Sequence, residues 1–254
     1  MLKQKKEIKS LKVFLLFILM GMMIILPYLV QSEGFMTLVN DYNYQQIPFN
    51  MYCIESIKNG NVLWDWNTDL GGSFVGNYAF YTLGSPFFWI LSFFPSVMVP
   101  YLLGPLLALK YGTAGVTAYW YLRRYTKQNR VAFLGAVLYA FSGFQAGNVI
   151  YNHFHDAVAF FPLLLIGLDK LIDEKRKGVF ALAVALNAMT NYFFFAGEVI
   201  FLGIYFISKV IWCNRSKIKD IGHCLFEGIV GIGISCFIFF PAIIFTLRLS
   251  LIHI

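Results

Sequence analysis

Seven long apolar stretches recur along this chain, and nearly all its basic residues fall in alternate gaps between them. A helix that crosses about 30 Å of hydrocarbon needs about 20 mostly apolar residues. Stretches that approach this length run over Val13–Val30, Val97–Leu122, Val131–Val149, Ala157–Ile172, Val179–Phe194, Gly197–Trp212 and His223–Phe245. Only 13% of the chain is charged and 59% is hydrophobic, against about 25% charged for a soluble domain. That little charge cannot cover a water-facing surface, which excludes a soluble enzyme, a disordered chain and a nucleic-acid-binding domain. The expectation is an all-α polytopic membrane protein with about seven transmembrane helices and one membrane domain over residues 1–254.

The basic start, Met1 to Lys12, precedes an uncharged run that is longer than the hydrophobic region of a cleaved signal, so an uncleaved spanning helix is expected. Cytoplasmic loops are enriched in Lys and Arg. With the N-terminus inside, 17 of the 20 basic residues lie in inner segments, leaving Lys58, Lys110 and Arg248. The net charge of +7 is therefore mostly a topology signal rather than a sign of an anionic partner. The outer segments are acidic, with Glu33, Asp41, Glu55, Asp65, Asp69 and Asp156. The four cysteines have neither metal-knuckle nor redox-pair spacing.

The outer loop, about residues 31–96, is long enough to expect a function of its own. Tyr44, Ile47, Met51 and Ile54 recur at helical spacing, and Asn59-Gly60 is a stop signal. The helix would either lie on the outer membrane surface, with Gln45, Glu55 and Lys58 on its polar side, or pack on its neighbours. Ser85–Phe94 is too short to span and is expected to re-enter or lie at the interface. Trp64 and Trp66 suit an interfacial aromatic belt. A belt leaves Asp41, Asp65 and Asp69 among aromatic rings unexplained. Rings stack on the C–H faces of a sugar while carboxylates accept its hydroxyl hydrogen bonds, and such an acid can also act as general base.

The words Asp41-Tyr-Asn-Tyr-Gln-Gln-Ile-Pro-Phe49, Gly60-Asn-Val-Leu-Trp-Asp-Trp66, Gly71-Gly72, Tyr78-x-x-Tyr81, Gly84-Ser-Pro-Phe87 and, later, Asn191-Tyr192 occur in order. In this the chain resembles the YfhO family of bacterial membrane proteins, which look like C-type glycosyltransferases acting on the outer face. The resemblance implies a polyprenyl-phosphate-linked sugar as donor, a cell-envelope polymer as acceptor, and Asp41 as the base or as a group orienting acceptor or metal. A divalent ion is an open expectation. Family chains are longer, so the chain is expected to be the N-terminal part of such an architecture.

Residues expected to contact substrate are Tyr44, Gln45, Trp64, Asp65, Asp69, Asp156 and Lys110. Asp156 lies on the same side as Asp41; it could join one outer cavity, ligate a metal with His153 and His155, or cap the following helix. Lys110, in mid-span, could bind a phosphate or pair internally. Glu198 could complement a helix N-terminus, and His223 with Glu227 could form a local i, i+4 pair. Phosphate-loop, zincin and serine-elbow motifs are absent. The competing classes are a transporter or flippase for a lipid-linked sugar, which would carry midplane polar groups and broken helices, and a non-catalytic membrane subunit.

Overall fold

A computed structural model describes residues 10–68, 71–213 and 218–252. The described chain is almost wholly helical. Helix α1 (Ser10–Gln31) leads into the long loop expected on the outer face, called the outer loop below, which holds a π-turn (Tyr42–Gln46), α2 (Ile47–Lys58), the two-residue strands β1 (Trp64–Asp65) and β2 (Gly72–Ser73), α3 (Phe74–Tyr78), a second π-turn (Ala79–Leu83) and α4 (Pro86–Ser92). Then follow α5 (Val99–Arg123), α6 (Asn129–Ala140), α7 (Gly143–Gly147), α8 (Phe154–Asp173), α9 (Val179–Thr190), α10 (Tyr192–Cys213) and α11 (Ile218–Ile252).

Helices α1 and α5 lie antiparallel. Trp120 Nε1 donates to Ser10 Oγ at 2.9 Å at one end, and Met36 N–H donates to the Pro100 carbonyl at 2.8 Å at the other. Small residues on α5 allow close approach: a Cβ on Gly112 would come within 2.5 Å of Ile18, and one on Gly115 would overlap the Phe17 ring. Lipid tails offer little hydrophobic incentive for helices to associate, so such small-residue seams carry much of the packing. Helix α9 uses the same device on α11, where a Cβ on Gly231 would meet Ala181 O at 2.5 Å.

Among the described residues, four helical stretches are long and apolar enough to cross a membrane: Ser10–Gln31, Ser96–Arg123, Tyr192–Ile211 and Asp220–Leu247. The other three expected spans look different. Helix α6 has 12 residues, about 18 Å at 1.5 Å per residue, and the chain breaks at Phe141-Ser142 before the short α7. Helix α8 has 20 residues but carries Asp156, Asp169, Lys170 and Asp173. Helix α9 stops at Thr190 instead of running to Phe194, because Asn191 is extended and its Oδ1 accepts the Phe194 N–H, starting α10 at Tyr192 rather than Gly197.

The outer-loop helix stops where expected, with Gly60 at φ +77°, a conformation that favours glycine. Its inward face differs from the expected one. Tyr42, Gln46, Asn50, Cys53 and Ile54 are buried while Tyr44 is 80% exposed. The π-turn at 42–46 adds a residue to the helical turn, which rotates everything before Ile47 relative to the spacing of an unbroken α-helix. The helix packs on its neighbours: Glu55 accepts from Ser96 Oγ at 2.6 Å, and Lys58 donates to the Phe94 carbonyl at 2.6 Å. Helix α4 buries Phe87, Phe88 and Leu91 beside it.

At the end where α1 begins, basic and acidic side chains interlock. Buried Asp169 accepts from Tyr125 at 2.6 Å, Tyr205 at 2.9 Å and Arg124 at 3.3 Å, and also pairs with Lys209. Lys209 reaches Asp173 at 2.9 Å, Arg124 reaches Glu174 at 2.8 Å, and Lys175 reaches Asp220 at 2.7 Å. Glu227 is spent on α9, accepting from Gly178 N–H at 2.8 Å and Ala181 N–H at 3.2 Å. It thus caps that helix N-terminus, a role the i, i+4 spacing with His223 does not suggest.

Candidate functional site

The opposite end of the bundle holds a cavity of about 490 Å³ between the outer loop and the junction of α9 with α10. Phe49, Phe80 and Phe245 give it aromatic walls, and Thr68, Asn77, Tyr78, Tyr81, Tyr192 and Thr246 supply hydroxyl and amide groups. The closeness of loop and junction depends on Gly84, where a Cβ would overlap the Met189 carbonyl. That contact sets Tyr192 against Phe80, ring centroids 5.3 Å apart, and Tyr192 shares a hydrogen bond of 3.2 Å with Thr246. Thr68 and Tyr78 share another at 2.8 Å.

Asp41 is half-buried at the entry to the first π-turn, following Asn40 at φ +49°. The Asn43 side chain holds this approach by bonding both the N–H and the carbonyl of Leu38, at 3.0 and 2.6 Å. Burial pushes the Tyr81 hydroxyl above its ordinary value, and the charge of Asp41 adds to the rise. Asp41 thus acts electrically on a cavity-lining phenol.

Of the other expected substrate residues, Asp65 reaches the cavity-lining Thr68, and the rest fall in separate places. Tyr44 faces away from the cavity, exposed, and Gln45 is half-buried beside it. Trp64 is 54% exposed and meets Trp66 edge to face, centroids 5.8 Å apart, on the hairpin formed by β1 and β2. Asp65 is buried beneath that hairpin, accepting from Tyr52 at 2.6 Å, from Asn67 N–H at 2.9 Å and from Thr68. Burial opposes its charge, but the bonds from Thr68, Tyr52 and Asn67 prevail and hold its carboxyl below the usual range. Asp69 lies outside the described residues.

Lys110 and Asp156 are consumed by one another. Their charged atoms lie 2.5 Å apart, 2% and 0% exposed, and Lys110 also donates to the Asn152 carbonyl at 2.8 Å. His155 turns its two nitrogens to Gln145 and the Asn148 carbonyl. Among the described residues no three His, Cys, Asp or Glu side chains converge as a metal site would require. Glu198 sits within α10, mostly buried near Tyr139, instead of at a helix start. Sequence reasoning left Asn77, Thr246 and the cavity-facing role of Tyr81 and Tyr192 unassigned, although both tyrosines stand in the family-like words.

A second, apolar groove of about 680 Å³ lies between α1, α5, α6 and α7. Ile24, Ile25, Leu107, Phe141 and Val149 line it, and at one end it reaches Leu38 and Val39, three and two residues before Asp41.

No solved structure matches the chain significantly. A protein named "Uncharacterized protein YfhO" from Bacillus subtilis (strain 168) is 26% identical over 238 residues, covering 84% of this chain. The chain spans about a quarter of that relative's length, 27%. The family model described as bacterial membrane protein YfhO matches residues 12–248. With long apolar helices on either side of the outer loop and that match across nearly its whole length, the chain is a multi-pass membrane protein and belongs to the YfhO family of bacterial membrane proteins.

Proposed function

We propose that the protein is a membrane glycosyltransferase, or the membrane part of one, moving a sugar from a polyprenyl-phosphate donor to a cell-envelope polymer on the outer face. One observation carries the reading: a cavity lined by aromatic rings, hydroxyls and amides lies within electrical reach of Asp41. Aromatic faces beside neutral polar groups suit a saccharide, and the apolar groove that reaches Val39, two residues before Asp41, suits a prenyl chain.

In the proposed step the acceptor hydroxyl oxygen attacks the anomeric carbon, and the bond from that carbon to the phosphate oxygen breaks. The lipid phosphate leaves with the electron pair, and Asp41 takes the hydroxyl proton. A phosphate leaving group needs no protonating acid, so one carboxylate is enough, unlike the paired acids of glycoside hydrolysis. Phosphate recognition is assigned away from Lys110, whose charge is already matched by Asp156. Trp64 and Trp66, exposed on a hairpin that Asp65 fastens, are proposed to meet the acceptor polymer.

The test is Asp41→Asn in the full-length protein. Envelope polymers that lose their sugar substituents while the protein is still made support the assignment; unchanged sugar content defeats it. A transporter for a lipid-linked sugar is the second reading, favoured by the buried Lys110–Asp156 pair within the helices. It requires substrate movement in proteoliposomes that survives Asp41→Asn and fails when Lys110 or Asp156 is neutralised.

A further inference from the structure

Between α5, α8 and α9, at the end of the bundle where α1 begins, lies a groove of about 450 Å³. Its residues sort by depth, with Trp120, Arg124 and Lys170 at the rim and Leu163, Leu182 and Leu186 farther in. Helices α8 and α9 run antiparallel, Gly167 against Phe180 and the Phe160 carbonyl against Asn187. Leu163 is seven residues before Lys170, and Leu186 seven after the start of α9 at Val179, so the apolar wall runs about 10 Å into the bundle on both helices at 1.5 Å per residue. The groove opens sideways, since Leu182 is 65% exposed and Trp120, anchored to Ser10, is 42% exposed. In a multi-pass membrane protein such an opening meets acyl chains, and tryptophan favours the headgroup level.

The charge at the rim is one-sided. None of the residues lining the groove is acidic. Arg124 spends Nε on Asp169 and Nη1 on Glu174, and neither bond uses Nη2 with its two N–H groups. Lys170 is half-buried and enters no ion pair among the described residues. An ammonium without a counter-ion and further guanidinium donors therefore share the rim of an apolar channel. Basic pockets between membrane helices take anionic lipid headgroups.

We propose that this groove binds one anionic phospholipid from the adjoining leaflet, with its phosphate on Lys170 and Arg124 Nη2 and an acyl chain along Leu163, Leu182 and Leu186. A headgroup with one net negative charge matches the single ammonium, whereas a zwitterionic lipid brings its own cation to a rim that is already basic. The bound lipid bridges α5, α8 and α9 beside the Asp169 cluster. The proposal is independent of sugar transfer, whose candidate cavity lies at the opposite end of the bundle.

The test uses the full-length protein in phosphatidylcholine nanodiscs that contain a small fraction of phosphatidylglycerol carrying a diazirine on one acyl chain. Irradiation is expected to label segments 163–170 and 182–186, and unlabelled phosphatidylglycerol is expected to displace the label in preference to phosphatidylethanolamine. Lys170→Gln is expected to weaken that displacement by about fivefold, the scale of one basic residue at a membrane surface. Lys170→Arg, which keeps the charge, is expected to behave as wild type. Leu182→Trp, which obstructs the mouth from an exposed position, is expected to remove the label. Labelling that phosphatidylethanolamine displaces equally well, or that Lys170→Gln leaves unchanged, marks ordinary bilayer contact and overturns the proposal. Absence of label from both segments overturns it too, as when a further helix of the full-length chain covers the groove. So does displacement by a polyprenyl phosphate in preference to phosphatidylglycerol. If Lys170→Gln does not fold, competition between the two phospholipids on the wild-type protein decides alone.

Discussion

The two ends of the helix bundle solve the same problem in opposite ways. At the end where α1 begins, Asp169 draws on Tyr125, Tyr205, Arg124 and Lys209, and the surrounding charges are paired in turn. At the other end Gln46, Asn77, His153 and Asn191 each bury a nitrogen that has no partner among the described residues. A satisfied buried network holds helices together, whereas one with groups left over costs stability until something binds. The contrast marks the first cluster as a clamp between α5, α8 and α10, and the second as the candidate site.

If that division is right, mutations at the two ends should fail differently. Asp41→Asn is expected to lower sugar transfer by about 10²- to 10⁴-fold, the usual scale for losing a general base, with the melting temperature unchanged. Asp169→Asn should do the reverse, destabilising the fold by about 3–5 kcal/mol because Arg124 and Lys209 lose a buried partner. Transfer per folded molecule should then stay near wild type, as thermal melts alongside activity would show. A transfer defect in Asp169→Asn at full stability would erase the distinction.

Smaller effects sharpen the same contrast. Tyr192→Ala removes one cavity wall and is expected to weaken binding by about tenfold, close to 1.4 kcal/mol, in a titration against a short-chain polyprenyl-phosphate-linked hexose. The next concerns pH. Burial lowers the folded pKa of His153 from its ordinary 6.5 to about 3, so between those values the unfolded chain binds the extra proton. Stability therefore rises with pH across that window, by about 1.4 kcal/mol per unit from this group, and levels off above 6.5. Unfolding measured from pH 4 to 8 should lose that component in His153→Gln. A slope of equal size in that variant would place the titrating group elsewhere.

How much of this could be read from residues alone varies by feature. The stop at Asn59-Gly60 was legible because glycine there takes φ +77°. The gathering of Arg124, Lys175 and Lys209 near the start of α1 was legible from charge spacing. The break at Asn191 was not, since it turns on one amide capping α10 within an otherwise apolar run. The inward face of α2 was misjudged at Tyr44 because a π-turn shifts the register, and nothing in the local pattern announces one. Asp65 and Lys110 show a deeper limit. Composition reveals a costly charge, but only the fold reveals that Tyr52 and Thr68 hold the first and Asp156 the second. Asp41 acts on one cavity wall, Tyr81, and Asp65 bonds another, Thr68; in sequence Asp41 was one of several similar aspartates until the family-like words singled it out.

The central claim, that the cavity beside Asp41 receives a sugar, is tested most directly by a structure of the full-length protein with the short-chain polyprenyl-phosphate-linked hexose bound. The account predicts the hexose between Tyr81, Tyr192 and Asn77, with the prenyl chain leading toward the groove beside α1. A hexose bound against Lys110 and Asp156, with those two residues parted and the cavity empty, would contradict it.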